Sequence, residues 1–66
     1  MIQVGQRVRF DALAACRNGC DAITADTVGV VAYVNERHKW FSVKHSENQR
    51  ISFKFSEVGQ NVHICK

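Results

Sequence analysis

Three cysteines and three histidines, Cys16, Cys20, Cys65, His38, His45 and His63, carry the side chains that could bind a metal or attack an electrophile. A structural zinc site takes four thiolate or imidazole ligands, usually as two pairs spaced about two to four residues apart. Cys16 and Cys20 have an admissible spacing, but no second pair is evident, because one residue separates His63 from Cys65. On a strand those two would share a face opposite Val62 and Ile64, so geometry does not exclude them. The alternative is thiols packed in a loop beside exposed histidines, and the expectation is no metal and no cofactor. Catalysis needs a nucleophile beside a base, or paired carboxylates in a cleft. Cys20 or Cys65 near a histidine would supply the atoms, but nothing in the spacing fixes a geometry. A chain of 66 residues also has little room for a water-excluding pocket. No catalytic site is expected.

A second set has a different chemistry. Tyr33, Trp40, Lys44, Arg50 and Lys54, with Arg7 and Arg9, mix aromatic rings with cations. Such a mixture stacks on bases and pairs with phosphates. It equally forms protein interfaces, where Trp, Tyr and Arg dominate the binding energy.

Whether these side chains meet depends on the elements that carry them. Gln6 to Phe10 alternates, with Val8 and Phe10 on one face and Arg7 and Arg9 on the other, the period of a half-buried strand. Gly5 before it suits a turn with positive φ. Asp11 to Asp26 is irregular. Asp11 is placed to cap a short helix over residues 12–16, Gly19 to end it in the left-handed conformation, and Leu13 to dock it on the core. Thr27 to Val34 is rich in β-branched residues. Strict alternation puts Val28, Val30, Ala32 and Val34 inward, with Thr27, Val31 and Tyr33 outward, and Gly29 would allow a bend. Residues 35–39 form a hairpin loop. In the next strand Phe41 and Val43 point inward, and Trp40, Ser42 and Lys44 outward. After a turn at 46–49, Ile51, Phe53 and Phe55 form one apolar face opposite Ser52 and Lys54. One tight helical turn at 56–59 leads to a short last strand with Val62 and Ile64 inward. The expected core is Val8, Phe10, Leu13, Val28, Val30, Val34, Phe41, Val43, Ile51, Phe53, Phe55, Val58, Val62 and Ile64.

Length and charge bound the rest. Sixty-six residues make one domain, 1–66, with 45% hydrophobic residues, too apolar for a disordered chain. No apolar run approaches a membrane span, and residues 1–5 lack the basic and then apolar segments of a signal peptide, so a cytoplasmic setting is expected. An odd number of cysteines in that setting argues against a disulfide framework. The net charge is +3, mildly basic and unevenly spread. Residues 11–26 carry Asp11, Asp21 and Asp26 against Arg17, whereas residues 37–54 carry Arg37, Lys39, Lys44, Arg50 and Lys54 against Glu47. Ordinary solvated loops would also give that split.

The order of strand, long loop, three-strand meander, tight turn and short strand resembles the SH3-like barrel. The opening Val4-Gly5-Gln6-Arg7-Val8-Arg9-Phe10 is similar to the start of many such barrels, and Gly29 to Asn35 followed by Trp40-Phe41-Ser42-Val43 looks like their central hairpin. More narrowly, residues 34–41 and 52–59 resemble small uncharacterised proteins of bacterial prophages and mobile elements. The resemblance implies a mostly β, five-stranded SH3-like barrel whose long first loop has room for a short helix. Compared with signalling SH3 domains, the acidic first loop and Trp40-Phe41 are similar. The tyrosine-rich motif after the first strand and the Pro-containing turn before the last are missing, which argues against a Pro-rich ligand.

The expected function is a non-catalytic binding module that docks on another protein through the face of Tyr33, Trp40, Lys44, Arg50, Lys54, Arg7 and Arg9. The alternative is RNA or DNA binding by the same face, set second because +3 is a weak field for a polyanion. A third possibility is that Trp40 and Tyr33 only cover an open barrel edge. Monomer or weak homodimer is expected, with the last strand and the second strand as candidate edges.

Overall fold

A computed structural model describes residues 2–18, 26–47 and 49–65. The expectations for Gly19, Cys20, Asp21 and Asn48 lie outside these residues. The elements are β1 (Arg7–Phe10), α1 (Ala12–Arg17), β2 (Thr27–Asn35), β3 (Trp40–Ser46), β4 (Gln49–Lys54), a 3-10 turn (Phe55–Glu57) and β5 (Val62–Ile64). All five strands lie antiparallel in one sheet, in the order β4-β3-β2-β1-β5. The sheet is strongly curled. In a flat sheet β1 and β4 would stand about 14 Å apart, three strand spacings, yet the rings of Phe10 and Phe53 approach to 5.1 Å between centroids. Among the described residues β4 and β5 do not pair, so the sheet is unclosed.

The concave side holds the core: Val8, Phe10, Val31, Phe41, Val43, Ile51, Phe53 and Val62 are buried, with Val34, Phe55, Val58 and Ile64 packed against them. Alternation along β1, β3 and β4 places their apolar residues as expected. β2 does not follow strict alternation. Val31 is 1% exposed, whereas Val28 and Val30 are 49% and 43% exposed and point outward. The register between β2 and β3 shifts between Val31 and Tyr33, a β-bulge that inserts one extra residue. Gly29 and Val31 therefore face inward before the bulge and Val34 after it, while Tyr33 remains outside. Gly29 is needed for close approach: a Cβ there would overlap the Val43 side chain and sit 2.9 Å from the Lys44 carbonyl oxygen.

Helix α1 corrects a second expectation. Its N-cap is Asp11, whose Oδ1 accepts a hydrogen bond from the Ala14 N–H at 2.8 Å. Asn18 closes the helix, donating its backbone N–H to the Ala15 carbonyl. However, Leu13 is 59% exposed, and Ala14 and Ala15 are buried in its place. One residue turns a helix by about 100°, so a six-residue helix seated on two small alanines leaves Leu13 in solvent. Ile2, absent from the expected core, is also buried.

Glu57 ties the first loop to the far end of the chain. Its Oε2 accepts from the Lys54 N–H at 2.7 Å. Its Oε1 accepts from Asn18 Nδ2 and from Asn61 Nδ2, each at 3.3 Å. The edge strands are β4 and β5. β2 was expected at an edge but is central, paired with β1 on one side and β3 on the other.

Candidate functional site

Strand register brings the expected cations and aromatics to one surface, the convex outer face of the sheet. Arg7 is paired with Val30, Val30 with Lys44 and Lys44 with Arg50, one row across four strands. Arg9 lies between Val28 and His63 in the next row. Towards the β2–β3 hairpin the rows are Tyr33–Ser42–Ser52 and Asn35–Trp40–Lys54. All seven expected residues, Arg7, Arg9, Tyr33, Trp40, Lys44, Arg50 and Lys54, therefore share this face.

The arrangement has a definite pattern. Val28, Val30 and Tyr33 form an exposed apolar strip along β2. Arg7 and Arg9 stand on one side of it, and Lys44, Arg50 and Lys54 on the other. Arg7 and Lys44 are separated by two strand spacings, about 10 Å at the backbone. None of the five strands contains an acidic residue. Five of the nine Lys and Arg side chains of the chain are on this face, and among the described residues none of the five forms an ion pair. The field there is thus stronger than the overall charge of +3 conveys.

Tyr33 and Trp40 pack against each other diagonally across β2 and β3, with ring centroids 5.4 Å apart. Both strands are interior to the sheet, so the pair does not cover a sheet edge. Ser42, expected to face outward, is on that face, opposite Tyr33 and Ser52, but is only 7% exposed. At the other end of the strip is a shallow depression of about 340 Å³, lined among others by Arg7, Val28, Val30, Lys44, His45 and Glu47.

The described residues with metal or nucleophile chemistry sit on separate elements. Cys16 is on α1, His38 in the β2–β3 turn, His45 on β3 and His63 on β5. Among the described residues no three of His, Cys, Asp and Glu come together as a metal site, and Cys20 lies outside those residues. His45 faces the concave side, edge-on to Phe10 at 6.1 Å between centroids. Its Nε2 is buried without a hydrogen-bond partner among the described residues. Away from the outer face, Ile2, Phe55, Val58 and Ile64 line a cleft of about 370 Å³ with Glu36 and Lys39 at its rim.

Sequence reading missed Val28 and Val30 as surface residues. The available signal was Gly29: a glycine between two valines in a strand marks a close backbone approach, which puts its own position, and not its neighbours, against the core. Among the described residues no helix is long and apolar enough to cross a membrane. No family model, curated protein or solved structure matches this chain.

Proposed function

We propose that the chain is a non-catalytic binding module that docks on a protein partner through the outer face of its sheet. One observation carries this reading: the apolar strip of Val28, Val30 and Tyr33 is left in water between two sets of cations. Covering apolar surface gains about 25 cal/mol per Å², and a protein partner supplies the aliphatic groups that do so. Phosphates would engage the cations but leave the valines wet. The row Arg7–Val30–Lys44–Arg50 supports RNA or DNA binding as the second reading. Strand order, the curl of the sheet and the 3-10 turn before a short last strand support a partly open SH3-like barrel. A cytoplasmic monomer or weak homodimer, paired through the β4 or β5 edge, completes the proposal.

The test is affinity capture with cross-linking and identification of the captured protein, repeated with Arg7→Glu/Lys44→Glu and with Arg37→Glu in the β2–β3 turn. The double variant should lose the partner at unchanged melting temperature, and Arg37→Glu should keep it. Equal capture by all three proteins overturns the reading. So does retention of a mixed oligonucleotide pool, with affinity falling as salt rises at a log–log slope of about −0.9 per phosphate contact.

A further inference from the structure

We infer that the partner presents an acidic segment with an aliphatic anchor residue, and that the anchor sits over Val28 and Val30 between Arg7 and Lys44. This rests on the protein-docking reading above and names the chemistry of the occupant. Two features select it. Charge complementarity is the first: five cations that form no ion pair among the described residues, on strands without an acidic residue, call for carboxylates. The depression is the second. Arg7 and Lys44 flank Val30 in the register, and all three line the depression with Val28, so apolar surface and cations adjoin there. A leucine-sized side chain over Val28 and Val30 would cover them, and carboxylates beside it would reach Arg7 and Lys44. Glu47 also lines the depression and sits in the turn next to the Lys44–Arg50 row, so the carboxylates lie toward Arg7 and Arg9 on β1. From Val28 to Tyr33 the strip runs about 17 Å, the length of about five extended residues or about eleven helical ones.

The probe is a synthetic peptide of about twelve residues, glutamates with two leucines, titrated into the isotopically labelled protein and followed by amide chemical shifts. A peptide with both leucines replaced by serine, and single- and double-stranded oligonucleotides, are titrated alongside. The leucine peptide should shift the amides of Arg7, Val28, Val30, Tyr33 and Lys44. Val30→Ser, or serine for both leucines, should each weaken it roughly tenfold. Lys44→Glu, which leaves the core untouched, should weaken it at least as much. Equal binding of the serine peptide removes the anchor while leaving the outer face as the docking surface. Shifts confined to the cleft of Ile2, Phe55 and Val58 overturn both the anchor and the face. Oligonucleotide binding without peptide binding overturns the protein partner. Peptide binding blocked by self-association assigns the face to a second copy and overturns the inference, as does absence of shifts at millimolar peptide.

Discussion

Replacing Val31 by Ala should destabilise the protein far more than replacing Val30 by Ala, although the two are adjacent valines in one strand. Val31 is 1% exposed and paired with the buried Val43. Removing the equivalent of two methylenes loses about 1.6 kcal/mol of transfer free energy at about 0.8 kcal/mol each. The cavity left behind raises the cost to about 2–3 kcal/mol. In a domain of this size each kcal/mol lowers the melting temperature by about 4–8 °C, so Val31→Ala should melt roughly 10–20 °C earlier. Val30 is 43% exposed, its outer surface is already wet, and its loss should cost less than about 1 kcal/mol. Thermal and urea unfolding followed by circular dichroism would measure both, with the urea slope unchanged if the native state keeps its compactness. If Val30→Ala proved equal to or worse than Val31→Ala, β2 would follow strict alternation without the bulge. Val28 and Val30 would then belong to the core and the docking strip would not exist.

Other substitutions test the supports of that face. Gly29→Ala should lower the urea midpoint by the equivalent of about 2–3 kcal/mol, because its Cβ would press on Val43 and on the Lys44 carbonyl; a neutral effect would show that β2 and β3 are not so close. Glu57→Ala removes three hydrogen bonds linking Asn18, Lys54 and Asn61. It should cost about 1.5–3 kcal/mol in the same assay, whereas an unchanged midpoint would mean the first loop is held by other contacts. Lys39 has φ of 62°, a left-handed conformation that costs a side-chain-bearing residue about 1 kcal/mol. Lys39→Gly should therefore raise the melting temperature by a few degrees, and a fall would place the turn in another conformation.

The sequence made the face legible where alternation was clean. β1 and β4 place polar and apolar residues at opposite parity, and in β3 Phe41 and Val43 set the phase, so Arg7, Arg9, Trp40, Lys44, Arg50 and Lys54 could be assigned to one side without coordinates. β2 was different. Residues 28–34 are apolar or glycine at both parities, and a period of two has no phase when every position fits either side. The phase is instead set by partners distant in sequence. Val8 is opposite Gly29, and the bulge then re-aligns Val34 with Phe41. Leu13 failed for a related reason. In a helix of six residues the alanines on either side gave no amphipathic contrast, and docking geometry favoured the smaller side chains. The acid-centred contact of Glu57 spans 39 residues to Asn18, a separation that no local pattern encodes.

The docking face is tested most directly by hydroxyl-radical footprinting of the protein alone and with its captured partner. Free protein should be oxidised readily at Tyr33, Val30, Val4 and Leu13, all exposed, and slowly at Phe41 and Phe53, both buried. Partner binding should protect Tyr33 and Val30 and leave Val4 and Leu13, which lie off the sheet face, reactive. Protection of Val4 or Leu13 with Tyr33 and Val30 unchanged would move the interface elsewhere and contradict the account.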